Sequence, residues 1–289
     1  MRFDPAQLET LVTIAEQGTF EGAARTLQLT PSAVSQRVRA LERAAGTVLL
    51  QRTTPVGVTR AGEPLLKLGR QLRLLAAEAS VELDGRGVVD LPVAVNADSL
   101  ATWFRPVLAA VAARPGLTLR LYVEDQAHSQ ALLRRGDVVA AITDDPEPVQ
   151  GCVVTRLGEQ RYSPVATPDL VARHRRGTGM DWEALPMVVF NEVDRLQDRV
   201  LEQRGTARPP VVHRVPTSAD FLAAVEAGLG WGMLPEGQLE ASLRSGRVEL
   251  LPGAESLTVT LHWQRWRLSS DALDELSADV RRAATRLHR

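Results

Sequence analysis

Three side chains that can pair with the edges of nucleic-acid bases, Gln36, Arg37 and Arg39, lie within four residues of one another. Arginine forms two hydrogen bonds with guanine and glutamine forms two with adenine, so this grouping indicates base recognition in a DNA groove. Small hydroxyl side chains share the segment, and a further arginine with two threonines follows it. The residues that we predict to contact DNA are Thr30, Ser32, Ser35, Gln36, Arg37, Arg39, Arg52, Thr53 and Thr54.

Two short helices are predicted to position these side chains. Thr30 can cap a helix through its hydroxyl, and Pro31 follows where a missing N–H costs nothing. From Ala33 to Leu41 the apolar residues form one stripe, and the polar and cationic residues fall largely outside it. A shorter amphipathic segment, Phe20 to Leu27, precedes this helix. Two helices joined by a tight turn predict a helix-turn-helix, whose second helix enters the DNA major groove.

A wing is predicted after the second helix. Val48 to Leu50 has the apolar run of a short buried strand, and Pro55 and Gly57 predict a turn between Arg52 and Val58 that leads into a second strand. Such a hairpin would contact phosphates or the minor groove. We therefore interpret residues 1–58 as a winged helix-turn-helix DNA-binding domain.

The distribution of charge favours this interpretation over its plain alternative. Helix pairs with a turn occur in many proteins that never meet DNA, and a cationic face is usually only solvated. Residues 22–73, however, contain nine basic and two acidic residues, a net charge of +7, whereas the whole chain carries −1. The remaining residues therefore carry −8. Such asymmetry is typical of a phosphate-binding module attached to another domain.

A long helix is predicted to follow, over residues 59–84. Five apolar residues recur at spacings of three and four, as in a coiled-coil seam, and about 23 helical residues would reach roughly 35 Å. We expect this helix to pair two chains; the alternative is a single helix lying on its own domain. The residues of the expected seam are Leu65, Leu68, Leu72, Leu75 and Ala79.

From Leu91 onward strands and helices alternate, which predicts an α/β architecture in which parallel sheets are covered by helices, with about eight strands in two sheets of four or five. The predicted strands are Leu91–Val95, Leu117–Val123, Val138–Ile142, Arg161–Ala166, Met187–Phe190, Val211–Val215, Gly230–Leu234 and Leu257–Trp263. The predicted helices are Leu100–Ala113, Ser129–Arg135, Asp169–His174, Asp194–Arg204, Ala219–Ala227, Glu236–Arg244 and Asp271–Leu287.

Polar residues cluster where the predicted strands end, which is where ligands bind in alternating folds. A turn with hydroxyls that could hold an anionic group lies beside several carboxylates that could pair with an ammonium group. This mixture suits a zwitterionic or cationic metabolite better than a sugar or a dianion. Taken one by one, the same residues could be ordinary helix caps and solvated acids. The candidate ligand-binding residues are Asn96, Asp98, Ser99, Leu100, Thr102, Glu124, Asp125, Asp144 and Ser218.

No motif of enzyme chemistry is recognisable. The sequence has no GxSxG, HExxH or phosphate-binding GxxxxGK[ST] motif, and its five histidines are scattered without metal-ligand spacing. Gly228, Gly230 and Gly232 lie between a predicted helix and a predicted strand, the reverse of a dinucleotide loop, which favours tight turning. We expect no catalysis, no metal and no cofactor other than an effector ligand.

Cys152 is the single cysteine, so an intrachain disulfide is impossible. No stretch approaches the roughly 18 apolar residues of a membrane span. We therefore expect a cytoplasmic protein with no membrane partner.

The order of these parts resembles the LysR-type transcriptional regulators over the whole chain. The resemblance implies two subdomains like those of periplasmic binding proteins, with chain crossings near Glu159–Ser163 and Gln264–Ser269. It implies a first effector-binding subdomain of residues 91–160 and 268–289 and a second of residues 161–267. Expected partners are double-stranded promoter DNA, a second copy in a homodimer or dimer of dimers, and RNA polymerase. The matching residues are Ala23-Ala24, Leu27, Thr30-Pro31-Ser32-Ala33-Val34-Ser35, Val38, Leu41-Glu42, Leu49-Leu50, Arg52, Thr59 and Gly62.

Within that family the chain resembles the branch that senses lysine or arginine and controls amino-acid export. The resemblance implies a basic amino acid as effector, in agreement with the carboxylates at the strand ends. A family member that answers to another metabolite and a cytosolic small-molecule-binding protein are the alternatives. The segments that carry this resemblance are Leu50–Thr53, Val95–Trp103, Val123–Asp125 and Leu133–Val139.

Overall fold

A computed structural model describes residues 3–85, 87–123 and 126–288 of the chain. Its helices are α1 (Pro5–Gln17), α2 (Phe20–Thr26), α3 (Pro31–Ala45), α4 (Glu63–Asp84), α5 (Ala97–Ala101), α6 (Arg105–Ala112), α7 (Gln126–Arg135), α8 (Pro168–Arg173), α9 (Leu196–Glu202), α10 (Ser218–Glu226), α11 (Glu236–Arg244) and α12 (Asp271–Ala283). Its strands are β1 (Leu50–Gln51), β2 (Gly57–Val58), β3 (Val89–Val95), β4 (Leu117–Val123), β5 (Ala140–Thr143), β6 (Cys152–Ala166), β7 (Arg175–Arg176), β8 (Gly179–Met180), β9 (Met187–Val189), β10 (Val212–Arg214), β11 (Gly232–Pro235), β12 (Glu249–Leu250) and β13 (Leu257–Trp266).

The predicted helix-turn-helix is confirmed in α2 and α3. The Thr30 hydroxyl accepts a hydrogen bond from the Ala33 amide at 3.2 Å and begins α3, which ends at Gly46 in the left-handed conformation. Strands β1 and β2 pair antiparallel with Leu50 opposite Val58, which forms the expected wing. Helix α1 was not predicted. It packs against α3 and α4, and its apolar side chains build the centre of this domain.

Helix α4 has 22 residues, close to the roughly 23 expected, but its apolar face is partly covered by its own chain. Leu65 is buried, and Leu68 and Leu72 are partly buried, in the core of the DNA-binding domain beside α1. These residues therefore also serve their own chain, and the predicted seam for a second chain remains a proposal. Further along, Leu74 and Ala77 pack on the first core of the region from Leu91 onward, which the resemblance predicts to bind an effector and which is here called the effector-binding region. The helix therefore contacts both parts of its own chain.

One seven-stranded sheet runs through the effector-binding region, in the order β11-β6-β13-β5-β3-β4, with β12 on β6. Strands β6 and β13 pair antiparallel along their length, from Leu257 opposite Tyr162 to Trp266 opposite Cys152. Parallel strands β3, β4 and β5 continue the sheet on one side. On the other side β11 joins β6, and β9 pairs with β10 in a separate parallel pair. Two parallel sheets of four or five strands were expected. That expectation is corrected, because one larger sheet joins both halves and its central strands are antiparallel.

The register places the crossings between the two halves within β6 and β13. Residues 262–265 of β13 pair with β5 of the first half, and the register shifts between Leu261 and His262. This part of β13 therefore already lies beside the first half, and the crossing near Gln264–Ser269 remains a proposal. The subdomain limits named above remain a proposal, with β6 and β13 shared by both halves.

Each half has its own apolar core. In the first, Leu91, Phe104 and Trp263 are buried between the sheet and α6 and α12. In the second, Met187 and Trp231 are buried. No helix in the described part of the chain is long and apolar enough to cross a membrane.

The glycine-rich turn before β11 brings two backbones into contact. A Cβ atom on Gly230 would lie 2.6 Å from the carbonyl oxygen of Pro186 and 2.8 Å from the amide nitrogen of Met187. These three residues form the joint between β9 and β11, so the glycine is needed for close approach and the turn holds no phosphate-cradling loop.

We expect Gly230→Ala to lower the free energy of unfolding by about 1 to 3 kcal/mol, because the added methyl group meets backbone that cannot rotate away. Gly179→Ala is the control, since the nearest atom to its Cβ is 4.0 Å away. Urea unfolding measures both variants, and equal stability of the two would contradict the packing argument.

Candidate functional site

The residues predicted to contact DNA lie together on α3 and the wing. Most are exposed; Ser35 and Arg37 are half-buried. One guanidinium nitrogen of Arg37, Nη1, lies 3.4 Å from the Thr10 hydroxyl of α1, which turns this side chain toward its own domain. The exposed members of the set are Thr30, Ser32, Gln36, Arg39, Arg52, Thr53 and Thr54.

Several polar groups on this surface hold its shape. The Ser32 hydroxyl lies 2.9 Å from that of Thr30, and the Thr53 hydroxyl donates to the carbonyl of Pro55 at 2.7 Å. Glu42, the one acidic residue of α3, accepts a hydrogen bond from the Leu49 amide at 3.0 Å and ties the helix to the wing. The acid is therefore used structurally, and the outward face of α3 presents amide, hydroxyl and guanidinium groups.

A cavity of about 530 Å³ opens between the two halves of the effector-binding region. The first half contributes residues at the ends of β3 and β5, the second contributes α9 and the loop before it, and β6, β11 and β13 contribute side chains from the sheet. The lining residues are Asn96, Ala97, Asp98, Val123, Asp144, Tyr162, Phe190, Asn191, Val193, Asp194, Arg195, Leu196, Arg199, Pro216, Phe221, Met233, Leu234 and Val259.

Asp98 is the polar centre of this cavity. Its carboxylate accepts hydrogen bonds from the Tyr162 hydroxyl at 3.0 Å and the Ser218 hydroxyl at 2.9 Å. Asp98 forms no ion pair with any residue that the structure describes. Burial raises the pKa of Asp98 and the charge of Asp194 adds to the effect, while the two hydroxyl groups oppose it. The cavity thus holds a buried carboxylate that has no cationic partner among the described residues.

The Tyr162 hydroxyl is held in its neutral, donating form. Burial raises its pKa well above the ordinary value, and the adjacent charge of Asp98 raises it further. Asp98 belongs to α5 of the first half, Tyr162 lies on the shared strand β6, and Ser218 is the first residue of α10 in the second half. The hydrogen bonds among these three side chains therefore connect both halves.

The far wall is a loop ordered by its own side chains. The Asp194 carboxylate accepts from the amides of Phe190 at 2.9 Å and Leu196 at 3.0 Å. Arg195 forms ion pairs with Asp198 and Glu202. Arg199 lies one turn further along α9, and its exposed guanidinium lines the cavity. This wall can present a cationic group to an anionic part of a ligand.

Asp144 lies at the rim and stays accessible to solvent. Partial burial raises the pKa of its carboxyl group and the neighbouring Asp145 adds to the rise, whereas the charges of His262 and Arg199 oppose it. The rim therefore has a second carboxylate that a cationic ligand would stabilise in its charged form.

Four of the predicted ligand-binding residues are brought together here. Asn96, Asp98 and Asp144 line the cavity, and Ser218 reaches it through Asp98. The Asn96 side-chain oxygen is buried and accepts no hydrogen bond from the described residues. Glu124 and Asp125 lie outside the described residues.

Three others are turned away, which corrects the expectation for them. Ser99 is fully buried, and its hydroxyl accepts a hydrogen bond from Trp103 Nε1 at 3.0 Å. The Thr102 hydroxyl donates to the backbone carbonyl of Asp98 at 2.6 Å, and Leu100 packs against the first core. Helix α5 has five residues. Ala97 and Asp98 line the cavity, whereas Ser99 and Leu100 pack toward the first core.

Sequence reasoning missed the second wall and Tyr162. The run Asn191 to Arg195 follows a predicted strand end, so the rule that selected Asp98 would have selected it too. Tyr162 gave no such signal, because its approach to Asp98 depends on the pairing of β6 with distant strands. Among the described residues, no group of three or more histidine, cysteine, aspartate or glutamate side chains could hold a metal ion.

Two protein-family models match the chain, one in its N-terminal region and one in the rest. The model of the bacterial regulatory helix-turn-helix protein, lysR family, matches residues 5–63, and the LysR substrate binding domain matches residues 90–288. Lysine export transcriptional regulatory protein LysG of Corynebacterium glutamicum is 46% identical over 286 residues, which cover 97% of this chain and 98% of that protein.

Two solved structures share the whole architecture. Full-length LysG from Corynebacterium glutamicum with bound effector Arg is similar with a TM-score of 0.86 and 44% identity, covering 99% of this chain and 100% of that one. ArgP from Mycobacterium tuberculosis is similar with a TM-score of 0.89 and 40% identity, covering 98% of both chains.

The buried carboxylate of Asp98, which forms no ion pair within the part of the chain that the structure describes, leads to a stability prediction. Because its pKa is raised in the folded state, the folded protein binds the proton more tightly, and stability is lost as pH rises from the unfolded pKa, about 4, through the folded pKa. We expect Asp98→Asn to raise the melting temperature of the ligand-free protein at pH 7, and the gain to shrink as pH falls toward 4.

Asp137→Asn is the matched control, because Asp137 pairs with Arg70 at 2.7 Å and its loss should lower stability. Thermal scans of the three proteins across this pH range give the comparison. A less stable Asp98→Asn protein at pH 7 would show that the hydroxyl groups compensate the charge.

Proposed function

The chain belongs to the LysR family and is a LysR-type DNA-binding transcriptional regulator, and on that premise we propose that arginine or lysine is the effector that controls its action on promoter DNA. The observation that carries the proposal is Asp98, a carboxylate inside the cavity with hydroxyl donors and no cationic partner among the described residues. A ligand ammonium or guanidinium group supplies the missing charge and forms charge-assisted hydrogen bonds.

The remaining charges of the cavity match such a ligand. Its lining has three aspartates and two arginines, a net charge of −1, while a basic amino acid carries two cationic groups and one carboxylate. Asp98 and Asp144 suit the cationic groups. Arg199 suits the carboxylate, since Arg195 already pairs with Asp198. The volume, about 530 Å³, lies in the usual range for small-molecule sites.

The relatives support the same ligand class. LysG of Corynebacterium glutamicum is named for lysine export, and its full-length structure was solved with arginine bound as effector. We propose by the same reasoning that this protein regulates a gene for amino-acid export. Effector control requires that the ligand bind two states of the protein with different affinity, and the two halves around the cavity provide the surfaces that such states would change.

The DNA contacts are assigned to the outward face of α3 and to the wing. Ser32, Gln36 and Arg39 are exposed in positions to read bases, whereas Arg37, half-buried against Thr10, is a weaker candidate than the sequence indicated. We propose that Arg52, exposed beside β1 of the wing, contacts a phosphate.

We further propose a homodimer, or a dimer of dimers, built on the end of α4. Ala79 and Leu83 are exposed there, and Leu83 retains 86% of its accessible surface. A dimer would place two copies of α3 on two half-sites of the operator.

For the effector, Asp98→Asn should raise the dissociation constant for arginine about 30-fold or more, because loss of a buried, hydrogen-bonded charge partner costs about 2 kcal/mol or more. Isothermal titration calorimetry measures the affinity, and Glu183→Gln, which removes an exposed carboxylate outside the cavity lining, is the control. Citrulline, which keeps the shape of arginine without its side-chain charge, should bind more weakly to the wild type. Arginine affinity unchanged by Asp98→Asn would remove Asp98 from the site.

For DNA, Gln36→Ala should cost about 1 to 3 kcal/mol and relax the preference for one base pair. Arg52→Ala should instead weaken binding to all sequences about equally and reduce the salt dependence by about one released counterion. Binding to a set of operator variants at several salt concentrations separates the two roles, and identical behaviour of the two variants would refute the assignment.

A further inference from the structure

We propose that residues 144–151, here called the coupling loop, connect the effector cavity to the linker helix α4, and that Gln264 is the positioning residue that makes this connection stiff. The proposal rests on the proposed effector function of the cavity. The loop leaves β5 after Thr143 and enters β6 at Cys152, and its two ends face different parts of the molecule.

The first end of the coupling loop belongs to the cavity. Asp144 lines it. The next residue, Asp145, is fixed on both sides: its amide donates to the Thr143 hydroxyl at 3.1 Å, and its carboxylate accepts from Gln130 Nε2 at 2.6 Å. A ligand cation that binds Asp144 therefore acts on the first residue of an ordered segment.

Gln264 braces the middle of the loop from β13. Its side chain is fully buried, and its Nε2 donates to the carbonyls of Asp145 at 3.1 Å and Glu147 at 2.9 Å. Its Oε1 accepts from the Val149 amide at 3.1 Å. One amide thus joins three points along the loop, so the loop is restrained to move as a unit.

The second end of the loop contacts α4. Lys67 Nζ donates to the carbonyl of Gln150 at 3.0 Å, and the same ammonium lies 6.0 Å from the centre of the Trp266 ring. A Cβ on Gly151 would lie 3.4 Å from Nζ, so the ammonium sits close against the loop backbone. Trp266 follows Gln264 by two residues on β13, so the brace and the contact share one strand.

Lys67 also belongs to the DNA-binding side of the molecule. Its neighbours Leu66 and Leu68 on α4 pack into the core formed with α1 and α3. A displacement that begins at Asp144 therefore has a continuous route through the braced backbone to the helix that carries the DNA-binding domain. Without Gln264 the loop could absorb the displacement locally.

The test measures the coupling itself. Full-length wild-type protein and the variants Lys67→Met and Gln264→Met are compared for affinity to a DNA duplex that the wild type selects from a random library, with and without saturating arginine. Arginine affinity is measured separately by calorimetry. We expect arginine to change wild-type DNA affinity about fivefold or more. In both variants arginine should still bind, while the change falls to about twofold or less.

Two controls separate coupling from loss of structure. Arg70→Met removes another contact of α4 with the effector-binding region, the ion pair with Asp137, but leaves the coupling loop untouched. It should therefore keep the wild-type ratio of DNA affinities measured with and without arginine. Lys67→Arg retains a donor for the Gln150 carbonyl and should restore most of the ratio. A thermal scan checks folding, and if Gln264→Met does not fold, Lys67→Met decides alone because Lys67 is only half-buried.

The outcomes are distinct. Wild-type ratios in Lys67→Met and Gln264→Met overturn the coupling loop and leave the effector assignment intact. A ratio lowered equally by Arg70→Met also overturns it, because general docking of α4 would then be responsible. Failure of wild-type protein to bind arginine in calorimetry overturns the effector assignment and the coupling proposal together.

Discussion

The pairing of β6 with β13 is the interaction on which the rest of the effector-binding region depends. These two strands join along ten registered positions and carry the chain from one half to the other. Each half adds its remaining strands to this central pair: β5 to β13, and β11 to β6. The cavity therefore lies across a continuous sheet, and the side chains beneath it, such as Tyr162 and Val259, come from the strands that both halves share.

The same geometry explains how one carboxylate contacts both halves. The Asp98 carboxylate accepts hydrogen bonds from one hydroxyl of the shared sheet and one of α10, and it forms no ion pair with the described residues. A buried charge without a counterion is unfavourable for folding, and binding sites commonly retain such unfavourable features because a ligand relieves them. The buried carboxylate thus costs stability in the ligand-free protein, which agrees with the cationic effector proposed above.

Local features of the sequence were enough to predict the DNA-binding half in part. The Thr30 cap and the apolar stripe of α3 act within a few residues, so they could be recognised without knowledge of the fold. Helix α1 was missed because six of its residues, from Leu8 to Ile14, are buried on more than one side, which removes the usual amphipathic rhythm. For α4 the spacing of leucines identified an apolar face correctly. It could not identify what covers that face.

The ligand cavity was predictable to the same limit. The rule that ligands bind beyond strand ends selected Asn96, Asp98 and Asp144, because a strand end is visible in sequence. Ser99 was selected by the same rule and lies in the core, since the orientation of a side chain on so short a helix is decided by its packing against Trp103. The part of β6 before Arg161 was also hidden, because it contains polar and charged residues that break the apolar pattern of a strand.

The way α4 divides its side chains has a consequence for the modularity of such regulators. Leu65 and Leu72 pack into the core of the DNA-binding domain, here called the head. Leu74 and Ala77 instead pack on the first core of the effector-binding region. The helix is therefore no neutral spacer between interchangeable parts. A chimera joined at the apparent domain limit, near residue 58, would separate a head from the leucines that close its core. The apolar packing of α4 passes from the head to the effector-binding region just after Leu72. Lys67 and Arg70 nevertheless contact that region before this point, and Arg73 pairs with Glu9 and Glu16 of α1 after it. No single cut inside the helix therefore keeps all of these contacts.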